Sequence, residues 1–212
     1  MSTAIDPATL ATTRRALHGV AELVLAGPQY RSSGTIRLAV TPGGFGTIAE
    51  PALRVEGTEL VAGDRVIPMN GPTYGELGTA AGVVAGAPEG LYKGGSGMLL
   101  DDTIGVDAGA AEHLEQCFSR GQEALRRLAP DLSPVMWPEH FDLAITLDEI
   151  NYGVSPGDDY LPEPYAYAGP WQPRLGDFWN APFGAARTIT ELHDVDGVLA
   201  FFQQGHAIAS DN

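Results

Sequence analysis

Residues 137–171 read Trp137-PEHFDLAITLDEINYGVSPGDDYLPEPYAYAGP-Trp171, and the fold is decided there. Phe141, Leu143, Ile145 and Leu147 alternate with His140, Asp142, Ala144, Thr146 and Asp148. Alternation at period two marks a half-buried strand, so 140–148 is expected to be one, with its apolar row inward. On that reading His140 and Asp142 share the other face. Asn151 to Ser155 opens a second strand, and Ser155-Pro156-Gly157-Asp158 is turn chemistry. Glu163, Tyr165, Tyr167 and Trp171 share one parity in a further run, whose Pro162 and Pro164 suit an edge strand.

The same stretch is electrostatically one-sided. No Lys or Arg lies between Arg127 and Arg174, while Asp131, Glu139, Asp142, Asp148, Glu149, Asp158, Asp159 and Glu163 do. Such carboxylates must be solvated, protonated or paired. An Arg from elsewhere, a metal ion or a cationic ligand is the expected partner. The whole chain follows suit, at net charge −15 over 212 residues with Lys93 its only lysine. That surface repels phosphate backbones and anionic lipid, so neither nucleic acid nor membrane is an expected partner. Cys117 stands alone, which excludes an intramolecular disulfide or a Cys-based zinc site within one chain. No signal-peptide pattern and no apolar run of membrane-spanning length is present, and a cytoplasmic, bacterial protein is expected.

Outward from the central stretch, helix and strand signals alternate. Asp6-Pro7 caps a helix expected to end at Gly27-Pro28. On it Arg14, His18 and Glu22 stand one turn apart, as a solvated charged face would. Gly34 to Thr41 reads as a strand running into a glycine-rich turn over 42–47. Leu53 to Val61 reads as a hairpin about Gly57-Thr58, and Arg65 to Met69 as a further strand. Thr73 and Glu76 form a capping box before a small-residue segment, 77–85. Residues 86–107 read as loop, with Gly94–Gly97 flexible enough for a lid or linker. Asp107 caps a helix to residue 129 whose stripe is Ala111, Leu114, Phe118, Gly121, Leu125 and Leu128, with Cys117 as a small core residue beside it. Ala185 to Leu192 reads as a last strand, and Asp194 or Asp196 caps a final helix. The fold class is α+β, antiparallel sheet flanked by helices, in a single domain that could subdivide near 86–107.

The sharpest chemical constellation is His140 with Asp142. An imidazole beside a carboxylate can act as general base, or ligate a divalent metal with Asp158 completing the set. Asn151, Asp158, Asp159, Glu163, Tyr165, Tyr167 and Trp171 are the candidate ligand-binding residues. They supply acceptors and aromatic walls with polar handles. No phosphate loop, dinucleotide fingerprint or nucleophile elbow occurs. The motifs W-P-x-H-F-D-L-A (137–144), N-x-G-x-S-P-G-D (151–158) and P-E-P-Y-x-Y (162–167) resemble an uncharacterised, actinobacterial family of unknown function. The resemblance covers about a sixth of the chain. It implies that these segments form one unit, and implies no activity, ligand or fold. The leading expectation is a domain that binds a small molecule or cation at the acidic, aromatic face of 137–171. The alternatives are a hydrolase or isomerase with His140 as base, metal-assisted or not, and a protein-interaction module, with a homo-oligomer among the candidate assemblies.

Overall fold

In the computed structural model, which describes residues 5–210, the first helix does not stop at Gly27-Pro28. It runs as α1 (Pro7–Gly19), a π-helical segment (Val20–Ala26) and α2 (Gly27–Ser33), with Asp6 accepting from the Thr9 N–H as cap. The stop is Gly34, left-handed at φ 76°, its N–H on the Tyr30 carbonyl. This is the usual glycine device at a helix end. Gly27-Pro28 is instead a docking notch. Pro28 has no N–H, so the i→i+5 bond to the Leu23 carbonyl cannot form. The Gly86 N–H takes that carbonyl at 2.8 Å. A Cβ on residue 27 would lie 1.6 Å from the Gly86 oxygen, so only glycine fits. Every residue from Gly19 to Gln29 is buried.

The chain divides into two compact units, the first running to Glu115 and taking in Met136–Phe141, the second holding Gln116–Val135 and the chain from Asp142 onward. The division falls inside a helix. In the first unit β1 (Leu38–Thr41), β2 (Gly44–Thr47), β3 (Leu53–Glu56), β4 (Glu59–Ala62) and β5 (Arg65–Pro68) form an antiparallel meander. The glycine-rich stretch 42–47 is thus the β1–β2 hairpin, with Gly43 at φ 82°. The expected strand over 34–41 keeps only its second half, because Gly34 is spent on the helix end. Gln29, fully buried, donates to the Thr35 and Arg37 carbonyls and accepts from the Ile48 and Ala49 N–H groups, which ties the sheet's loops to α2. α3 (Tyr74–Ala81) carries the expected Thr73–Glu76 capping box and ends at Gly82. α4 (Ala108–Leu128) buries Ala111, Leu114, Cys117, Phe118, Gly121 and Leu125, as its stripe requires. β6 (Val135–Trp137) pairs with β1 through Met136 and Leu38.

In the second unit β7 (Asp142–Leu147), β8 (Ile150–Ser155), β9 (Tyr165–Pro170) and β10 (Ala185–Thr188) lie side by side, all antiparallel. The fold class is therefore α+β, as expected. β7 is shorter than the alternation suggests. Phe141 sits at φ 54° and Asp148 and Glu149 at φ 50° and 60°. These left-handed values exclude extended structure at both ends and make 148–149 a tight hairpin turn. Phe141, Leu143 and Ile145 are buried as expected, and Leu147 half-buried. The last expected strand also ends early, at Thr188, whose capping box with Glu191 starts α5 (Ile189–Leu192) before α6 (Val195–Ser210). Gly121 meets β8 so closely that a Cβ would lie 2.5 Å from Val154 Cγ2. No described helix is long and apolar enough to cross a membrane.

Gly27→Ala is expected to cost about 1–3 kcal/mol, the usual range for overpacking a tight site. Urea denaturation checks this, and an unchanged midpoint would contradict the notch.

Candidate functional site

The π-helical segment places a carboxylate in the interior of the first unit. Glu22 is 3 % exposed. A buried carboxylate survives only if its lone pairs are met by donors. Tyr92 Oη donates to Oε1 at 3.1 Å, and the Ser96 N–H and Oγ–H donate to Oε2 at 2.8 and 2.6 Å. All three donors come from the irregular segment 87–98, and Gly95 lets it come so close. A Cβ there would lie 2.0 Å from Oε1, and φ is 101°. The expected solvated face of Arg14, His18 and Glu22 is thus overturned at Glu22. Helical spacing says which residues share a face, not whether a distant loop covers it.

His18 stands one turn before Glu22. Its Nε2 lies 2.8 Å from the Pro138 carbonyl. A carbonyl only accepts, so Nε2 carries the proton and Nδ1 the lone pair. The ring stacks on Phe141 at 5.6 Å and 10°, and Phe45 meets Phe141 edge-on. These contacts hold Phe141 in a conformation that costs a non-glycine residue about 1–2 kcal/mol. Burial pushes the His18 pKa below its ordinary value, against the raising effects of the Pro138 carbonyl and Glu22. The charge of His140 pushes the same way as burial. Around the pair stand Glu139, one-third exposed, and His140, 72 % exposed, 3.7 Å apart. Burial first, then the charge of Glu22, lifts the Tyr92 hydroxyl far above the usual phenol range. The site is thus a neutral imidazole, a buried carboxylate, a phenol and a second carboxylate–imidazole pair at the rim.

Of the residues picked out in the sequence, His140 lies in this site, but not on a strand face beside Asp142. His140 is exposed in a turn of the first unit, whereas Asp142 is buried at the start of β7 in the second. Asp142, Asp158, Tyr165 and Tyr167 do come together. Tyr167 Oη donates to Asp142, and Tyr165 Oη donates to Asp158 at 2.6 Å. Asp158 also accepts from the Tyr160 and Leu161 N–H groups. The two tyrosine rings meet at 6.4 Å, and Phe183 packs on both. Asn151 and Trp171 form a separate pair, the indole N–H 3.4 Å from the amide oxygen, while Asp159 and Glu163 are exposed. Among the described residues no three His, Cys, Asp or Glu side chains gather to hold a metal ion. The expected set of His140, Asp142 and Asp158 is therefore not assembled. The sequence reading missed His18, Glu22, Tyr92 and Ser96 as a group. The one available signal was the glycine density of 90–97, which permits close approach to a buried group. No protein-family model matches the chain, and neither a curated protein nor a solved structure does.

Two outcomes follow from these titrations. Below pH about 6.5 the unfolded chain takes up a proton that folded His18 resists. Stability should therefore fall as pH drops from 7.5 to 5, and less steeply in His18→Gln. Urea melts across that range check it, and parallel curves would contradict it. For the tyrosines the sign reverses. Burial keeps Tyr167 protonated when folded, so its contribution is full below pH about 10 and lost above. Tyr167→Phe should destabilise the chain at pH 7 by about 1–3 kcal/mol, since Asp142 loses a donor, and should weaken the alkaline loss.

Proposed function

We propose that the protein binds a small molecule bearing a positively charged group, and that the first unit's site at Glu22 receives it. The observation that carries this reading is a carboxylate 3 % exposed whose three described donors are all neutral. In a low-dielectric pocket a cationic donor interacts more strongly than a hydroxyl. Glu139 adds a second carboxylate at the rim, and the net charge of −15 draws cations toward the surface. The expected acidic, aromatic face is kept in part, through 137–141. Asp142 and Asp158 are engaged by tyrosine hydroxyls and leave less for a ligand. A cytoplasmic setting, free of nucleic acid and membrane partners, is part of the same proposal.

One observation favours a second reading, an isomerase or hydrolase. His18 has its tautomer set by the Pro138 carbonyl and its neutral form favoured by burial, as a general base requires. In that reading the base moves from His140 to His18, with His140 and Glu139 at the rim.

Differential scanning fluorimetry with small amines, neutral analogues and carboxylates tests the proposal. Amines should raise Tm of the wild type and leave Glu22→Gln unmoved. Saturation to a hundredfold Kd corresponds to about 2.7 kcal/mol. If no amine raises Tm, or if the variant responds equally, the binding proposal fails.

A further inference from the structure

We infer that residues 87–98 form a strap that Glu22 holds shut, and that a ligand presenting a planar fork of N–H donors, a guanidinium or amidinium, opens it by taking Glu22. The inference rests on the cation-binding proposal for this site, names the ligand class, and adds the gate.

The strap has no helix or strand, and Gly90, Gly94, Gly95 and Gly97 all take positive φ. Among the described residues, the hydrogen bonds tying 87–98 to the rest of the first unit all end on Glu22. Its flanks are fastened independently. The Gly86 N–H bonds Leu23, Arg31 donates to the Val84 and Gly86 carbonyls, and the Leu100 carbonyl accepts from Gly75. A segment pinned at both ends and latched in the middle by one side chain opens locally, at a cost below that of global unfolding.

The latch also describes its competitor. Ser96 offers two adjacent donors, N–H and O–H, to one carboxylate oxygen, while Tyr92 offers one to the other. A guanidinium presents parallel N–H donors to both oxygens of a carboxylate, adds a charge, and is weakly hydrated. It replaces the strap's donors in kind and strengthens each bond. Three of the first unit's arginines are occupied elsewhere. Arg31 and Arg65 donate to backbone carbonyls of the first unit, and Arg54 pairs with Glu56 on the surface. A quaternary ammonium, with no N–H, does not satisfy the two oxygens the strap would release.

Lys93 is the only lysine of the chain and stands exposed in the strap. A lysine-specific protease therefore cuts the native protein at one place, at a rate that follows strap opening. The rate is measured with agmatine, with tetramethylammonium at equal ionic strength, and against a lysine-containing reporter peptide in the same tube. Glu22→Gln should be cut about tenfold faster or more than wild type. Agmatine should accelerate cutting of the wild type but not of Glu22→Gln, and tetramethylammonium should accelerate neither. Gly95→Ala keeps Glu22 but cannot seat the strap, so it should be cut as fast as Glu22→Gln while raising its Tm with agmatine at least as much as wild type. Equal cutting of wild type and both variants would overturn the latch. Agmatine that slows cutting, or leaves it unchanged, would overturn the ligand class. Amines that raise Tm without opening the strap would leave cation binding standing and sink this inference alone.

Discussion

The shortage of cations is the constraint on which the rest depends. Twelve basic side chains face twenty-seven acidic ones, and several arginines are committed to carbonyls. Arg65 donates to the last carbonyls of α3, Arg174 to Ala209 near the end of α6, Arg120 to His193, and Arg31 to Val84 and Gly86. Carbonyls near helix ends carry partial negative charge and lack intrahelical partners, so the placements of Arg65 and Arg174 are favourable ones. The Arg127–Asp196 pair lies at the surface, where screening leaves it worth little. Buried carboxylates must therefore be met by hydroxyls and backbone N–H groups. Tyr92 meets Glu22 and Tyr167 meets Asp142, and at the surface Tyr165 meets the exposed Asp158 in the same way. One solution recurs in both units, and at Glu22 the donors ride on a detachable segment.

That solution explains why the π-helical segment matters. A regular α-helix through Pro28 would leave a carbonyl of the preceding turn without a donor. The wider turn and the Gly86 N–H supply one, and the same crossing brings 84–86 against the helix. With that chain pinned at Gly27, the residues that follow bring Tyr92 and Ser96 onto Glu22. The buried acid, the notch and the strap's point of attachment all lie along or next to that one irregular segment. π-Helical turns are costly, and are often found at functional sites for that reason.

Much of the fold was legible because it rests on local rules. The caps at Asp6, Thr73 and Asp107 and the stripe of α4 are all set by near neighbours, whereas the alternation over β7 did not show that Asp142 and Ala144 are buried as well. The failures have a common cause. Gly27-Pro28 read as a stop because both residues break helices, yet burial against Gly86 overrides that preference. The period of 140–148 could not reveal that Phe141 turns left-handed to stack on His18, a partner more than a hundred residues away. His18 and Glu22 were visible as a helical pair, but their burial depends on 87–98, whose composition says flexible and gives no address. The acids of 142–158 posed the right question, what neutralises them. Tyrosines already present in the same motifs answer part of it, where an outside cation was expected.

The most direct test of the account is the coupling between latch and acid, measured by a double-mutant cycle on Glu22→Gln and Ser96→Ala with urea denaturation. If the Ser96 donors hold the buried carboxylate, the two changes should be non-additive by about 1.5–3 kcal/mol, the range for hydrogen bonds to a charged group. Additivity within about 0.3 kcal/mol would mean that Glu22 is satisfied without the strap, and would contradict the account at its centre.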